Sequence, residues 1–565
     1  MTPRPTLLVA VALLAGCDGA PAPPPPPKPT AANELFRLRD FPAAARPARF
    51  SDVTAETGID FVLTSGLTPS TQIVEFKGGG LGLIDYDGDG DLDVFVPNGA
   101  TMDAPEAGPG CRLFENLGGM RFRDATAEAG LDFRRWGVGV SVGDVDGDGH
   151  EDLYITCVGR NALLRNTGDG RFEDVTDSAG VGDDRWGTSS AFGDLDADGD
   201  LDLYVANYLD FPLDERPPPE DFRGELVPTG PRSLPAQGDV LYENLGDGTF
   251  RDVTDAWGCG DVAQSYGLGV VILDFDADGR PDIFVGNDSM PNFLFRAIDM
   301  HSFHEIGMAA GVATNANGAR QATMGIAVGD ISGNGLPDLY SSNFASDTNT
   351  LHMNYDGTSF MEMTPRYGLG MMSFPFLGWA CGFYDFNLDT SEDLFVVNGH
   401  IYPTATRENM DSPYLQTPLL FVRDGLRFTQ LTPSDAGDWL AEAHCDRSAA
   451  FGDLDGDGDV DIVVGELNGP IRVLRNEAPP SPWLIVQTDA HRLPCRVEAL
   501  IEGAPRQVRW IHGGGSFASA SARAAHYGLP AGTTSVSLNV TWPDGSVERF
   551  DDVPVGARAH VRPRK

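Results

Sequence analysis

Basic residues are scarce in this sequence compared with acidic ones. Its 565 residues include 40 Lys and Arg against 83 Asp and Glu, which gives a formal net charge of −43. A chain this acidic is repelled by nucleic acid and by anionic membrane surfaces. Neither is therefore expected as a direct partner.

Cysteine is also infrequent, and its spacing does not suggest a metal site. The chain has seven cysteines but neither a CxxC pair nor a Cys/His cluster, so no structural zinc site is predicted. The six cysteines after Cys17 are widely spaced, and the sequence leaves open whether they form disulfides.

The apolar run at the N-terminus, Leu7 to Leu14, is too short to span a bilayer and predicts a secretory signal. The run ends in "LAGC", which resembles the lipobox of bacterial lipoproteins. This resemblance implies cleavage before Cys17, a lipid on its sulfur, and an extracytoplasmic protein held at a membrane, in the periplasm or at the cell surface, through that lipid alone. An ordinary cleaved signal is the alternative. Residues 1–16 are thus the signal peptide, and the proline-rich residues 17–46 form an extended tether.

An acidic nonapeptide recurs along the chain. It begins at Asp85 as "DYDGDGDLD", and the later copies begin at Asp144, Asp194, Asp274, Asp330, Asp385 and Asp453. A β-type run such as "VFVPN" or "LYVAN" follows each copy. The nonapeptide and the run after it form a first half-unit. A second half-unit alternates with it along the chain and reads "FSDVT" at Phe50 and "FRDVT" at Phe250. Strand–turn–strand signals link the two, so each full unit predicts four strands.

The phase of the half-units predicts a closed ring. The chain opens with a second half at Phe50 and closes with a first half at Asp453, so the N-terminal strand would complete the last unit. Closure removes exposed sheet edges, whereas an open solenoid would leave both ends unpaired. We therefore expect an all-β protein, with a seven-bladed β-propeller over residues 47–478 and a small β domain over residues 479–565.

The nonapeptides have the pattern of calcium loops. Positions 1, 3, 5 and 9 carry oxygen side chains, position 7 can add its carbonyl, and position 6 is usually Gly. Many hard oxygen ligands in flexible geometry suit calcium better than magnesium. An EF-hand would need Glu at position 12, which is Val96 in the first loop. A solvated acidic turn is the alternative for any single copy, but seven copies in register favour up to seven structural calcium ions.

The expected calcium ligands are taken loop by loop. They are Asp85, Asp87, Asp89, Asp91 and Asp93; Asp144, Asp146, Asp148, His150 and Asp152; Asp194, Asp196, Asp198, Asp200 and Asp202; Asp274, Asp276, Asp278, Arg280 and Asp282; Asp330, Ser332, Asn334, Leu336 and Asp338; Asp385, Asn387, Asp389 and Asp393; and Asp453, Asp455, Asp457, Asp459 and Asp461. Loops 5 and 6 should bind most weakly, because loop 5 has only two aspartates and loop 6 has Thr390 where Gly is expected.

These loops, framed by glycines and "FxDVT" strands, resemble FG-GAP/VCBS repeats, the blades of integrin α-subunit propellers. The tail, with "RQVRWIHGGGSFASASARAAHYGLPAG" at 506–532 and "VTWPDGSVERF" at 540–550, resembles the ASPIC/UnbV domain. Together the parts resemble the cartilage acidic protein family, which has bacterial lipoprotein members. The chain departs from the family in having "SFASASA" where a Ser-Gln pair is frequent.

Strand order places the calcium loops on one face of the ring and all long insertions (99–110, 208–239 and 399–418) on the other. Loops on a rigid scaffold usually carry binding, so the insertion-bearing face is the expected site for a glycan or protein ligand. Five strand-ending asparagines there could form a ring of sugar-binding amides or merely end their strands. The expected ligand-binding residues are Arg135, Arg185, Tyr266, Arg320, His444 and Arg447. Packing between blades is the alternative role for such residues.

The leading interpretation is a calcium-stabilised, non-enzymatic binding or adhesion lipoprotein. The alternative is a hydrolase or lyase acting on a glycan or small metabolite through acid–base residues of the same face. Those residues would be His400, His444, Asp446 and Glu466. No GxSxG or other nucleophile motif supports this alternative.

Overall fold

The computed structural model describes residues 47–260, 262–405, 410 and 412–564. The predicted signal peptide, the tether and Cys17 lie outside the described residues. The described residues belong to one compact unit. Within that unit, no helix has the length and apolar character needed to cross a membrane.

Seven four-stranded antiparallel sheets follow one another along the chain and form the propeller blades. Blades 1 to 3 consist of Gly82–Ile84, Asp93–Val96, Arg112–Asn116 and Phe122–Asp124; Gly137–Gly143, Asp152–Cys157, Gly159–Asn166 and Phe172–Asp174; and Gly187–Gly193, Asp202–Asn207, Val240–Asn244 and Phe250–Asp252. Blades 4 to 6 consist of Gly267–Leu273, Asp282–Asn287, Phe293–Asp299 and Ser302–Glu305; Ile326–Gly329, Asp338–Ser341, Thr350–Asn354 and Phe360–Glu362; and Gly378–Tyr384, Asp393–Asn398, Leu419–Asp424 and Arg427–Gln430.

Blade 7 is built from both ends of the propeller. It contains Asp446–Gly452, Asp461–Glu466 and Ile471–Asn476, and its fourth strand is the N-terminal Phe50–Asp52. Phe50 pairs with Asn476 and Asp52 with Leu474. We call this pairing the clasp. The seven-bladed ring closed by an N-terminal strand is thus confirmed.

The "FxDVT" motif has a local structural reason. In blade 2, Phe172 is buried while the next two residues of its strand are exposed, as expected for an outer strand with one packed face. The Thr176 backbone N–H donates to Asp174 (3.1 Å), and the Thr176 hydroxyl accepts the N–H of Leu163 (3.0 Å). The motif therefore fastens the fourth strand to the third beyond the end of the ladder.

Short helices and one added hairpin connect the strands. The one-turn α-helices are Thr54–Thr57, Thr176–Ala179, Gly307–Ala310, Gly370–Ser373 and Pro433–Ala436, and the 3₁₀ turns are Ile73–Glu75, Pro231–Ser233 and Asp438–Ala441. The blade 3 insertion contains a hairpin of Glu220–Phe222 and Glu225–Val227.

The C-terminal domain contains two sheets. One consists of Trp483–Gln487, Ala525–Gly528 and Ala557–His560, and the other of Cys495–Leu500, Gln507–Ile511, Ser535–Thr541 and Val547–Pro554. Its apolar core is continuous with that of blades 2 and 3, where Leu484 and Val497 belong to the same cluster as Leu203.

A segment of this domain enters the centre of the propeller, which the sequence analysis did not foresee. We call residues 512–522 the plug. Ser516 exchanges two backbone hydrogen bonds with Ile326, and Val140 donates its N–H to the Ala518 carbonyl (3.1 Å). A Cβ at Gly80 would lie 1.7 Å from that same carbonyl oxygen, so the plug fits only where the channel wall lacks side chains. The first strands of the blades thus line a filled channel.

Candidate calcium loops and the open face

The acidic loops share a left-handed backbone at position 6. Glycine has this conformation in six loops: Gly90 (φ 92°), Gly149 (92°), Gly199 (102°), Gly279 (86°), Gly335 (88°) and Gly458 (93°). Thr390 has φ 83° at the same position in loop 6. A β-branched residue is strained at such angles, so loop 6 keeps the shared geometry at a conformational cost.

Position 1 organises the loop and position 9 fastens it to the blade. Asp144 accepts the N–H of Asp148 (3.1 Å) and of Gly149 (3.0 Å). Asp152 accepts the N–H of Val145 on one oxygen (2.9 Å) and of Asn166, in the third strand, on the other (2.7 Å). Sequence reasoning treated position 9 only as a ligand, but its carboxylate also joins two stretches of backbone.

Carboxylate oxygens converge in the first four loops. Ligand atoms of three aspartates lie within 4.8 Å of one another in each of these sets: Asp85, Asp87 and Asp93; Asp144, Asp146 and Asp152; Asp194, Asp196 and Asp198; and Asp274, Asp276 and Asp282. Burial raises the pKa of Asp93 to about 8 and the pKa of Asp194 to about 7. One Asp194 oxygen is buried without a hydrogen-bond partner. Convergent, desolvated hard oxygens of this kind fit calcium, which would favour their ionised form.

Arginines approach the acidic loops, among them Arg165 at Asp146 of loop 2 (3.8 Å) and others at the last three loops. Arg506 donates to the Asn334 carbonyl of loop 5 (3.2 Å), and Arg558 lies 3.2 Å from Asp453 of loop 7. The charge of Arg423 opposes the rise in the pKa of Asp393, in loop 6, that burial causes. Arginine side chains of the protein therefore offset part of the negative charge of these loops.

The C-terminal domain covers the face that carries the acidic loops. Residues 479–565 contain ten Lys and Arg against seven Asp and Glu, so this domain opposes the charge of the ring. Arg558 donates to the Gly90 carbonyl (2.6 Å), Arg523 forms an ion pair with Glu151, and Arg509 lies 3.3 Å from Glu392. The opposite face, which we call the open face, is the one this domain leaves uncovered.

The blade 3 insertion lies across the open face. Arg216 in this insertion reaches Asp103, in the insertion of blade 1 (2.8 Å). The Phe222 ring packs against Tyr402, in the insertion of blade 6, at 5.6 Å between centroids. The insertions that the sequence assigned to one face therefore contact one another around its centre.

Two of the expected ligand-binding residues are buried between blades. Arg447 is 0% exposed and stacks on Trp379, 4.3 Å from the ring centroid. Its guanidinium donates to the backbone carbonyls of Phe76, Gly399, Asp446 and His400. His444 stacks on Trp439 and exchanges two backbone hydrogen bonds with Gln416. Both residues pack in this structure, which is the alternative role that the sequence left open.

The other four expected ligand-binding residues differ from one another in exposure and in hydrogen-bond partners. Arg135 donates to Asn161 and Asp174, and Arg185 to Asp183 and Gly238. Tyr266 is 8% exposed and its hydroxyl donates to the Leu234 carbonyl (3.0 Å). Arg320 is exposed at the surface. Arg320 is thus the member of the set whose side chain is most open to a ligand.

The candidate acid–base residues come close to one another at the junction of blades 6 and 7. Asp446 lies opposite Glu466 in the first two strands of blade 7, at positions where blades 3, 4 and 6 have Gly opposite Asn. Asp446 is 1% exposed, neither oxygen has a hydrogen-bond partner among the described residues, and burial raises its pKa well above the usual range. His400 is 0% exposed, and its Nδ1 accepts the N–H of Tyr402 (3.0 Å).

The strand-ending asparagines are tied to their own loops. Asn98, Asn207, Asn287, Asn343 and Asn398 are each 0–1% exposed. Asn98 donates to Gly110, Asn287 to Pro291 and Asn398 to Thr417. Their amides thus hold the connections that follow their strands and do not form an exposed ring.

The sequence analysis did not single out the residues at the centre of the open face. Lys77 precedes blade 1, and its Nζ lies 3.9 Å from an oxygen of Asp288 and 4.1 Å from the ring centroid of Tyr208. Tyr208 donates its hydroxyl to the same Asp288 oxygen (2.6 Å). The available signal was composition, because Lys77 is the only lysine between Lys28 and Lys565.

The six cysteines of the described residues are free and buried. No disulfide therefore links the blades of this structure to one another or to the C-terminal domain.

Comparisons with known proteins agree with this architecture. Residues 85–155, 144–205, 233–285 and 274–341 match the FG-GAP-like repeat, and residues 495–565 match ASPIC and UnbV. Cartilage acidic protein 1 of Xenopus tropicalis is 25% identical over 317 residues, 55% of this chain and 38% of that protein. The Homo sapiens protein of the same name is 26% identical over 300 residues, 50% of this chain and 41% of that protein.

The alignments thus span less than half the length of these curated relatives. Among solved structures, an Agrocybe aegerita lectin described as recognising non-reducing terminal N-acetylglucosamine matches with a TM-score of 0.36 and 15% identity, over 69% of this chain and 86% of that chain. The two family matches and the seven closed blades lead to one conclusion. The chain is an FG-GAP-repeat β-propeller protein with a C-terminal ASPIC/UnbV domain.

Proposed function

We propose that this protein is a calcium-stabilised, extracytoplasmic binding or adhesion lipoprotein that recognises a glycan or protein ligand on its open face. The observation that carries this proposal is the position of the C-terminal domain. It covers the acidic-loop face, so the face with the long insertions is left for a partner. Rigid blades below variable loops are a common arrangement for recognition.

Calcium has a structural role in this proposal. The convergent aspartates of loops 1 to 4 lie on the face that the C-terminal domain covers, where Arg558 contacts loop 1, His491 loop 2 and Leu493 loop 3. Bound calcium would hold each loop between its two strands and offset the repulsion between neighbouring carboxylates. The ligand would meet a surface whose shape depends on the ions without touching them.

The anchor is proposed from the lipobox resemblance alone. Cys17→Ser removes the sulfur that would carry the lipid, so the variant should leave the membrane fraction and incorporate no labelled fatty acid. Equal fatty-acid incorporation into the natural chain and Cys17→Ser would exclude this anchor.

The binding face is tested with two matched leucine variants. Leu226, 69% exposed, lies in the hairpin of the blade 3 insertion, and Leu245, 44% exposed, lies in the turn between the third and fourth strands of the same blade. Glycan arrays and panels of extracellular proteins would first identify a ligand for the calcium-loaded chain. Leu226→Asp should then weaken binding at an unchanged melting temperature, and Leu245→Asp should leave binding intact. Loss of binding in Leu245→Asp alone would place the site on the other face.

A further inference from the structure

Blades 3 and 4 bring an imidazole and two carboxylates together beside the third acidic loop. Asp196 is position 3 of that loop, Glu243 lies in the third strand of blade 3, and His301 lies in the turn between the third and fourth strands of blade 4. One ligand atom from each residue lies within 4.8 Å of the other two. We call these three residues the junction triad, because they span the boundary between two blades.

The two carboxylates of the junction triad are largely buried, whereas its imidazole is open to solvent. The side chains of Asp196 and Glu243 are 6% and 11% exposed, and the side chain of His301 is 60% exposed. The His301 ring packs against Trp257 at 5.1 Å between centroids, which restrains it at the boundary. An ion from solvent can therefore reach the triad from the side of His301 and meet oxygens that have already lost most of their water.

The donor atoms of the triad face one another. His301 Nε2 lies 3.3 Å from Asp196 Oδ2, while Oδ1 of the same carboxylate accepts the N–H of Asp198 inside the loop (3.3 Å). Arg251 donates to Oε2 of Glu243, which leaves Oε1 for another partner. Asp196 thus presents one oxygen to its own loop and the other oxygen to the triad.

Blade 3 differs from its neighbours in the charge next to its acidic loop. Arg165 of blade 2 and Arg296 of blade 4 occupy the strand position of Glu243, and each forms an ion pair with position 3 of its own loop. Each of these three residues precedes the one whose N–H donates to position 9 of the loop. In blade 3 the residue is an acid, so Asp196 meets a second negative charge where its neighbours meet a guanidinium. Two carboxylates this close repel each other unless a cation lies between them.

We propose that the junction triad binds a zinc ion that links blade 4 to blade 3. Zinc accepts imidazole nitrogen and carboxylate oxygen as ligands, and three protein ligands leave its fourth position to water. Tetrahedral ligands about 2.05 Å from zinc lie about 3.3 Å from one another, which is the separation of His301 Nε2 and Asp196 Oδ2. Calcium prefers oxygen ligands, so the imidazole favours zinc over the ion expected in the loops. This site goes beyond the function proposed above and does not depend on it.

Zinc titration of the calcium-saturated full-length protein tests the site. Excess calcium occupies the acidic loops, and calorimetry then measures zinc binding to the natural chain, to His301→Ala and to His304→Ala. His304 is an exposed histidine of the same blade 4 hairpin, so its variant is the matched control. The natural chain and His304→Ala should bind zinc alike, and His301→Ala should bind it at least about tenfold more weakly. Equal zinc affinity in all three proteins would overturn the proposal and leave His301 as an ion-pair partner of Asp196.

A second variant separates a metal site from a simple ion pair. Glu243→Gln keeps the size of the side chain and leaves the contact between His301 and Asp196 in place. It should weaken zinc binding at least about tenfold, because it removes a charged ligand that an ion pair does not use. Cobalt(II) substituted for zinc should show a visible absorption band of a tetrahedral site in the natural chain and lose it in this variant. Unchanged zinc affinity in Glu243→Gln would overturn the three-ligand site.

Thermal unfolding gives an independent measurement of the same site. Zinc that binds only the folded chain stabilises it by mass action, so added zinc should raise the melting temperature of the natural chain and of His304→Ala but not of His301→Ala. Without zinc, both variants should melt close to the natural chain, because both side chains are exposed. A zinc-dependent rise of the same size in all three proteins would place the zinc elsewhere and overturn the proposal.

Discussion

At the scale of single residues, Arg447 shows how position decides the role of a charge. A guanidinium near the open face looks like a ligand contact in the sequence. In the structure it is fully buried, stacked on Trp379, and bonded to carbonyls of the segment before blade 1, of blade 7 and of the blade 6 insertion. Its donors thus link the blade 6–7 junction to the segment that carries Lys77.

Removing this side chain should destabilise the ring. Arg447→Ala would leave several buried carbonyls without donors, and the expected loss is about 3 kcal/mol or more in the free energy of unfolding. Arg320→Ala, at an exposed arginine, should change it by no more than about 0.5 kcal/mol. Urea unfolding monitored by tryptophan fluorescence measures both. Equal midpoints for the two variants would show that Arg447 does not fasten these blades.

At the scale of elements, the acidic loop depends on a single backbone angle. Gly149 has φ 92°, and a Cβ there would meet no atom within 4 Å, so the demand for glycine in loop 2 is conformational rather than steric. Thr390 has nearly the same angle without glycine's freedom. Loops 2 and 6 therefore form a matched pair for measuring the free-energy cost of a residue other than glycine at this backbone angle.

Exchanging the residue types should move stability in opposite directions. Thr390→Gly should raise the free energy of unfolding by about 1 kcal/mol and tighten calcium binding at loop 6, because it relieves the left-handed strain. Gly149→Thr should lower the free energy of unfolding by a similar amount and weaken calcium binding at loop 2. Calorimetric calcium titration and thermal unfolding are the measurements. A destabilised Thr390→Gly would indicate that the threonine side chain holds the loop.

The sequence predicted the repeating blades and the C-terminal domain, but it missed the plug. Seven copies in register gave the blade number, and the unpaired half-unit at Phe50 gave the clasp. The plug has no such signal, because "HGGGSFASASA" has neither strand nor helix periodicity and its partners are backbone groups in several blades. Its small residues make sense only beside the glycines of the channel wall, such as Gly80.

The candidate site was predictable to a similar extent. Regular spacing indicated which aspartates share a loop, and their oxygens converge in loops 1 to 4, while calcium itself stays a prediction. Spacing could not indicate that Arg447 turns inward, because that depends on carbonyls far away in the sequence. Lys77 and Asp288 are 211 positions apart, and only ring closure brings them together.

At the scale of the whole molecule, calcium should control stability. Ions that bind only the folded chain stabilise it by mass action, and they also offset part of the net charge of −43. Chelation should therefore lower the melting temperature by many degrees. Calcium should restore it, and magnesium should restore it less, because magnesium sheds its water reluctantly. Identical melting curves with and without chelator, on protein verified as metal-free, would exclude a structural role for calcium.

The clasp has a mechanical consequence. Residues 1–46 precede the strand Phe50–Asp52, so tension applied to that leading segment enters the ring through three residue pairs with the strand Ile471–Asn476. The ladders of the other blades carry no load from this side until the clasp has parted. A pull from the N-terminal side should therefore open blade 7 first, and force spectroscopy should record that small event before the unfolding of any other blade.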